Sequence, residues 1–237
     1  LRGYGESRIS QSFEMADHLM DLEKVMDRFQ IRQCVVLGWS LGGILAIELA
    51  LKLPERISGL ILIATAARPR SDHPSITWQD NAFTGIASIL NRLNPGWQWN
   101  MDAFGQRSLY RYLIQQHTQT AYQYLAREAF PAYLKTSQLA TEALNRALRK
   151  GYNRLPELEK IECPCLVMAG DADRHITPAS SLETAQQLKN CEWHLYPHTA
   201  HLLPWEIPAQ IRRDLDHWLM GHSEAIGIDV SLTKTGY

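Results

Sequence analysis

The stretch that most constrains the fold of this chain is Val35–Gly43, where an apolar run leads into Gly-Trp-Ser-Leu-Gly-Gly. The apolar run suits a buried strand and a nearly all-apolar segment follows it, so the pattern predicts a strand, a sharp turn and a helix in immediate succession. Ser40 stands at the tip of this turn. We expect Gly38 and Gly42 to be glycine because a Cβ atom at either position would collide where strand and helix meet.

Length and composition set the class of protein. The chain has 237 residues, 45% of them hydrophobic and 21% charged, which suits one large globular α/β domain. A formal net charge of −1 provides no basic surplus for a nucleic-acid partner, and the apolar runs are too short for a membrane span. The four cysteines lack metal-ligand spacing, which favours free thiols and a cytoplasmic location.

Further buried strands are predicted at Ile57–Ala64, Pro164–Ala169 and Cys191–Tyr196, with amphipathic helices between them. This order predicts an α/β fold with a mostly parallel sheet flanked by helices. Residues 66–155 interrupt it with helical stripes and more than half of the chain's aromatic residues. They are either a helical insertion with its own core or a lid over an apolar pocket. The predicted organisation is a core at 1–65 and 156–220, a helical lid at 66–155 and a loose tail at 221–237.

Three residues that could act together each follow a predicted strand: Ser40, Asp173 and His201. The carboxyl ends of parallel strands lie on one edge of a sheet, so we expect the three side chains to meet there. Two alternatives stay open, because Asp171 could replace Asp173 as the acid and His198 could replace His201 as the base.

The chain resembles the α/β-hydrolase fold serine hydrolases from Leu1 to about Leu219. The matching pieces are an R-G-x-G-x-S loop, the G-x-S-x-G turn, an acid loop and an H-x₄-E-x-P segment, found here at Arg2–Ser7, Gly38–Gly42, Gly170–Pro178 and His201–Pro208. Two departures stand out. Ala200 replaces the glycine that usually precedes the histidine, and the spacing from Asp173 to Pro178 is one residue longer than is common.

The resemblance implies a carboxylesterase-like enzyme that cleaves an ester, or a similar acyl bond, of a small apolar substrate through an acyl-enzyme. Ser40 would be the nucleophile, His201 the base and Asp173 the acid that orients it, with the Leu41 N–H as an oxyanion donor. Trp39 would line the substrate pocket or pack beneath the lid. The Trp-Ser-Leu-Gly-Gly sequence is similar to the turn of pimeloyl-carrier-protein methyl esterases. No metal or organic cofactor is implied.

Other interpretations also fit the sequence. An acyltransferase would use the same three residues, and a non-catalytic ligand-binding homologue would keep the fold alone. The family core has eight strands and this chain supplies only the last four. We therefore expect the first four strands, together with a His-Gly loop that donates the second oxyanion hydrogen bond, to be encoded upstream of Leu1.

Overall fold

The computed structural model describes residues 1–227 and shows a four-stranded parallel sheet in the order β1-β2-β3-β4. The strands span Cys34–Trp39 (β1), Ile57–Ile63 (β2), Cys165–Gly170 (β3) and Cys191–Tyr196 (β4). These bounds lie within one or two residues of those expected from the sequence. The predicted fold class, a parallel sheet with helices on both sides, is confirmed.

Twelve α-helices are described. They are α1 (Met15–Arg28), α2 (Leu41–Lys52), α3 (Trp78–Leu93), α4 (Gln98–Ala103), α5 (Tyr110–Leu113), α6 (Gln119–Tyr124), α7 (Phe130–Leu134), α8 (Gln138–Arg149), α9 (Pro178–Gln187), α10 (Leu203–Glu206), α11 (Pro208–Gly221) and α12 (Ser223–Ile226). Short 3₁₀ turns lie at Pro54–Arg56, Gly105–Arg107 and Leu155–Lys160, and one π-helical turn lies at Leu125–Ala129.

The central strand β2 explains why the sheet has helices on both faces. All seven of its residues are buried, and their side chains alternate between two separate hydrophobic clusters. Leu60 and Leu62 pack with residues of α1 and α2, whereas Ile61 and Ile63 pack with residues of α11 and α12. Since successive strand side chains point to opposite faces, a continuous apolar run is what a doubly covered strand requires.

The segment between β2 and β3 carries helices α3 to α8 and, within the described chain, no strand. It has its own apolar cluster around Met101, Tyr122 and Leu125, and this cluster extends to Leu202 in the core. The backbone N–H of Leu202 also donates to the carbonyl of Leu113 at 2.8 Å. The helical segment is therefore anchored beside the carboxyl edge of the sheet.

A loose tail was expected from residue 221, but the chain directly after α11 is ordered. Ser223–Ile226 form a short helix, the side chain of Ile226 is buried, and its carbonyl accepts a hydrogen bond from Ser58 Oγ at 3.1 Å. The prediction from residue 221 was wrong there, because a single inward isoleucine leaves no periodic pattern to detect. The rest of that prediction, residues 228–237, lies outside the described residues.

Strand β1 pairs with β2 alone among the described strands, and its Leu37 side chain is exposed. None of the helices in residues 1–227 combines the length and apolar character needed to cross a bilayer.

Candidate active site

The turn between β1 and α2 places Ser40 in an unusual backbone conformation. Its φ and ψ are 53° and −119°, and a positive φ is uncommon for any residue other than glycine. The backbone N–H of Ser40 donates to the carbonyl of Ile63 at 2.9 Å, which fixes the turn against the end of β2. This is the sharp strand-to-helix geometry that presents a serine hydroxyl above a sheet.

Close contacts at this turn involve a different pair of glycines from the one predicted. A Cβ atom on Gly38 would run into the backbone of Gly42, as expected. The expectation for Gly42 was wrong, because a Cβ atom there would meet nothing within 4 Å. The second crowded position is Gly43, whose Cβ atom would lie 2.6 Å from Cβ of Thr65. That contact joins residues distant in sequence, so the motif could not reveal it.

The two neighbouring glycines provide a matched pair of variants. We expect Gly43→Ala to lower the free energy of unfolding by about 1–3 kcal/mol, because the buried Thr65 must move to admit a methyl group. Gly42→Ala should be neutral or stabilising by up to about 1 kcal/mol, since alanine costs less backbone entropy in a helix. Urea unfolding curves of both variants test this, and equal losses of stability would contradict it.

Ser40, His201 and Asp173 form one hydrogen-bonded chain. His201 Nε2 lies 3.0 Å from Ser40 Oγ, and His201 Nδ1 lies 2.9 Å from Asp173 Oδ2. The second carboxylate oxygen of Asp173 accepts two backbone N–H bonds, from His175 at 2.8 Å and Ile176 at 2.9 Å. Asp173 is 2% exposed and His201 is 5% exposed, so both groups are held away from bulk water.

Asp171, the alternative acid, and His198, the alternative base, lie outside this hydrogen-bonded chain. The side chain of Asp171 is exposed, and its backbone N–H donates to the carbonyl of Tyr196 at 3.0 Å in an ordinary turn contact. His198 is also exposed and sits in the loop after β4 with a φ of 54°. The geometry therefore favours Asp173 and His201 over these alternatives.

The loop that carries His201 is held from two sides. Trp39 Nε1 donates to the carbonyl of His201 at 3.1 Å, which links the serine turn to the histidine loop. Gly170 lets this loop approach the end of β3, because a Cβ atom there would lie 2.6 Å from the carbonyl carbon of Thr199. Trp39 also packs edge-on against Trp205 at 5.1 Å between ring centroids.

Glu206 supports the same loop from inside the protein. One carboxylate oxygen accepts the N–H of Ala200 at 2.7 Å, and the other accepts the N–H groups of Gln115 and Gln116 at 2.7 and 2.6 Å. Burial raises the pKa of Glu206, and the three backbone N–H groups partly offset this effect. The glutamate thus joins the helical segment to the histidine loop, a function that the H-x₄-E spacing alone did not indicate.

His175 lies against the ring of His201. Its ring packs edge-on against the ring of His201, with centroids 4.6 Å apart, and its other side faces the parallel ring of His73 at 6.1 Å. Part of the side chain is accessible to water, yet the loss of solvation lowers the pKa of His175 to about 4, and His201 acts in the same direction. The lowered pKa disfavours a second positive charge beside His201.

Leu41 is the first residue of α2, and N–H groups in the first turn of a helix have no acceptor within that helix. Its N–H is therefore available next to Ser40, where an oxyanion donor is expected. Within residues 1–227 no group of three or more His, Cys, Asp or Glu side chains is arranged to hold a metal ion. That the reaction needs no cofactor stays a prediction.

A parallel sheet with helices on both faces and a serine on a strained strand-to-helix turn at its carboxyl edge defines an α/β-hydrolase. The sequence profile that matches residues 1–208 agrees with this class. The chain belongs to the family described as serine aminopeptidase, S33.

The curated relatives include proteins named as esterases. The chain is 28% identical over 226 residues to a pimeloyl-[acyl-carrier protein] methyl ester esterase of Nitrosomonas europaea, which covers 89% of this chain and 79% of the relative. It is 26% identical over 220 residues to the biotin biosynthesis bifunctional protein BioHC of Cellvibrio japonicus. That match covers 89% of this chain, which spans only 39% of the bifunctional protein.

Solved structures support the fold. The enol-lactonase of Burkholderia xenovorans LB400 has a TM-score of 0.64 at 22% identity and is matched over 92% of this chain and 78% of its own. A thermophilic esterase of Thermogutta terrifontis has a TM-score of 0.63 at 24% identity, over 93% and 78%. The chain is thus similar to ester-acting hydrolases in both sequence and fold.

Proposed function

We propose that this chain hydrolyses a carboxylic ester with Ser40 as nucleophile, His201 as general base and Asp173 as the acid that orients the histidine. The observation that carries the proposal is the unbroken run of hydrogen bonds from Ser40 Oγ through the His201 ring to Asp173. An isolated serine hydroxyl is a weak nucleophile, and an adjacent base oriented by a third group is the arrangement that activates it.

In the first half of the reaction, Ser40 Oγ attacks the ester carbonyl carbon while its proton moves to His201 Nε2. Asp173 keeps the other ring proton on Nδ1 and stabilises the imidazolium that forms. The Leu41 N–H donates to the oxygen on which negative charge develops. The alcohol then leaves with the proton from Nε2, and the acyl group remains bonded to Ser40.

In the second half, water takes the place of the alcohol. His201 Nε2 accepts a proton from the water as its oxygen attacks the acyl carbon, and the carbonyl again develops negative charge near the Leu41 N–H. Breaking the bond to Ser40 Oγ releases the carboxylic acid, and the proton returns from His201 to Ser40. Water and ester are consumed, and acid and alcohol are produced.

The proposed substrate is an ester with an apolar acyl group. Trp39, the residue before Ser40, packs edge-on against Trp205, and Trp205 stacks against Tyr124 with ring centroids 6.0 Å apart. We assign Trp39 to the pocket wall and residues 66–155 to the role of a lid above it. The name of the Nitrosomonas europaea relative, a pimeloyl-[acyl-carrier protein] methyl ester esterase, favours a methyl ester of an acyl-carrier-bound acid over an amide.

The nucleophile is tested by covalent labelling. A fluorophosphonate probe should label the wild-type chain at one residue, which mass spectrometry of the digested protein should place at Ser40. Ser40→Ala should not be labelled, whereas Ser7→Ala, a change in the N-terminal loop, should be labelled as the wild type is. A folded wild-type chain that takes up no label, or label at another residue, would refute the proposal.

The bond type is tested with paired substrates that share one acyl group. We expect the p-nitrophenyl ester to be turned over and the corresponding p-nitroanilide to be turned over far more slowly. A preference for the anilide would indicate a peptidase-like activity in its place. If an added alcohol or thiol raised the rate of product formation above the rate of hydrolysis, this would indicate an acyltransferase.

A further inference from the structure

Helix α3 has its two faces reversed relative to an ordinary surface helix. Its polar residues Asp80, Ser88 and Asn91 are buried, while its outward side carries large apolar residues. Leu93 is 77% exposed, Trp78 is 76% exposed and Ile89 is 57% exposed. A surface helix normally turns its apolar side inward, so the exposed apolar side of α3 needs a specific explanation.

The reversed orientation is held by hydrogen bonds from the buried polar side chains. Ser88 Oγ lies 2.7 Å from Tyr110 Oη, and Asp80 pairs with Arg111 at 2.6 Å. Asn91 donates to the carbonyl of Tyr122 at 2.7 Å and accepts from the N–H of Gly96 at 2.9 Å. Rolling the helix over would hydrate these side chains but leave Tyr110 Oη, the Tyr122 carbonyl and Arg111 without their hydrogen-bond partners, which opposes the roll.

The exposed residues form a continuous band that we call the α3 stripe. Its members are Trp78, Ala82, Ile86, Ile89 and Leu93. At 3.6 residues per turn they occupy less than a quarter of the helix circumference and extend about 22 Å along the axis. Beyond the end of the helix, Trp97 and Trp99 are also exposed, with ring centroids 5.0 Å apart.

The chemistry of the stripe suits the boundary between lipid and water. Aliphatic side chains occupy most of its length, and Trp78 stands at one end, where an indole can keep its N–H in the polar layer. The stripe is a convex ridge along a single helix. A fluid lipid surface adapts to such a ridge, whereas a folded protein partner would need a groove shaped to receive it.

The charge of the surrounding segment favours an anionic surface. Residues 66–155 contain 11 Lys and Arg against 5 Asp and Glu, while the rest of the chain contains 13 against 20. Seven of the eleven cations pair with carboxylates, while Arg92, next to Leu93 on α3, is exposed and forms no salt bridge within residues 1–227. Arg107 and Arg127, on the turns at Gly105–Arg107 and Leu125–Ala129, are also exposed and unpaired within those residues. Asp102 and Glu128 are the exposed acidic residues nearest to them in sequence.

We propose that the α3 stripe binds the surface of an anionic lipid bilayer, with Trp78, Ile89 and Leu93 inserted at the boundary and Arg92 beside them at the head groups. The stripe residues make no contact with the hydrogen-bonded Ser40–His201–Asp173 chain, and the proposal does not require the hydrolysis. The chain would attach to the membrane surface reversibly through one face of α3.

Vesicle sedimentation tests the proposal. The full chain should co-sediment with phosphatidylcholine vesicles that contain phosphatidylglycerol, and less with pure phosphatidylcholine. Ile89→Ser combined with Leu93→Ser should reduce the partition coefficient about tenfold or more, because two large apolar side chains no longer enter the bilayer. Arg92→Gln with Arg107→Gln should reduce binding to the anionic vesicles only.

A matched control is Met20→Ser combined with Met220→Ser, which removes exposed apolar side chains from α1 and α11. These changes should leave vesicle binding unchanged. Wild-type chain that sediments with neither kind of vesicle overturns the proposal. A dimer found by sedimentation velocity in the absence of lipid would also overturn the proposal if the Ile89 and Leu93 changes dissociated it. A second copy of the chain would then cover the stripe.

Discussion

Ser40→Ala, His201→Ala and the double variant are each expected to lower kcat for ester hydrolysis by about 10⁶-fold, and to the same extent. The reason is that Ser40 Oγ has no base other than His201 Nε2 within hydrogen-bond distance among the described residues. When residues act as one catalytic unit, the first substitution removes their joint rate enhancement, and a second substitution removes nothing further. Single-turnover measurements with an activated ester give the three rates.

The control for this set is His198→Ala, which removes the other histidine of the same loop. Its side chain is exposed and contributes only a backbone carbonyl, to Gln116 Nε2 at 3.0 Å. We expect kcat to change by less than about twofold, since surface substitutions away from buried networks have small effects. Additive losses for Ser40 and His201, or a large loss with His198→Ala, would assign the base to another group.

The sheet could be predicted from sequence because its strands carry the pattern that burial on both faces demands. Ile57–Ile63 is apolar except for Ser58, and alternating side chains fill two clusters, so no other element suits it as well. The carboxyl ends of successive parallel strands then bring Ser40, Asp173 and His201 to one edge. Their catalytic roles remain predictions that the kinetic experiments test.

Contacts between distant segments could not be predicted, because they depend on how loops are folded. Gly43 is crowded only by Thr65, and His175 meets His201 only because the loops after β3 and β4 lie side by side. The orientation of α3 could be predicted even less from the sequence. Its apolar residues recur at helical spacing, which favours burial, yet hydrogen bonds to Tyr110, Arg111 and Tyr122 turn that side outward.

Asp173→Asn is expected to lower kcat about 10⁴-fold while the substrate KM changes little. The carboxylate accepts a hydrogen bond from His201 Nδ1–H at 2.9 Å on one oxygen and two backbone N–H bonds on the other. An asparagine in this place keeps its oxygen toward the two N–H groups and presents its NH₂ group to His201. The ring then accepts at Nδ1 and carries its proton on Nε2, so it can no longer take the proton from Ser40.

Asp171→Asn is the matched change two residues earlier. The exposed Asp171 side chain lies in the turn after β3, and its N–H bond to Tyr196 survives the substitution. We therefore expect its kcat to stay within about twofold of the wild-type value. Steady-state rates of the two variants on one ester decide between the carboxylates. A severe loss with Asp171→Asn and a mild one with Asp173→Asn would transfer the orienting role to Asp171, because only the group that fixes the His201 tautomer can have the larger effect.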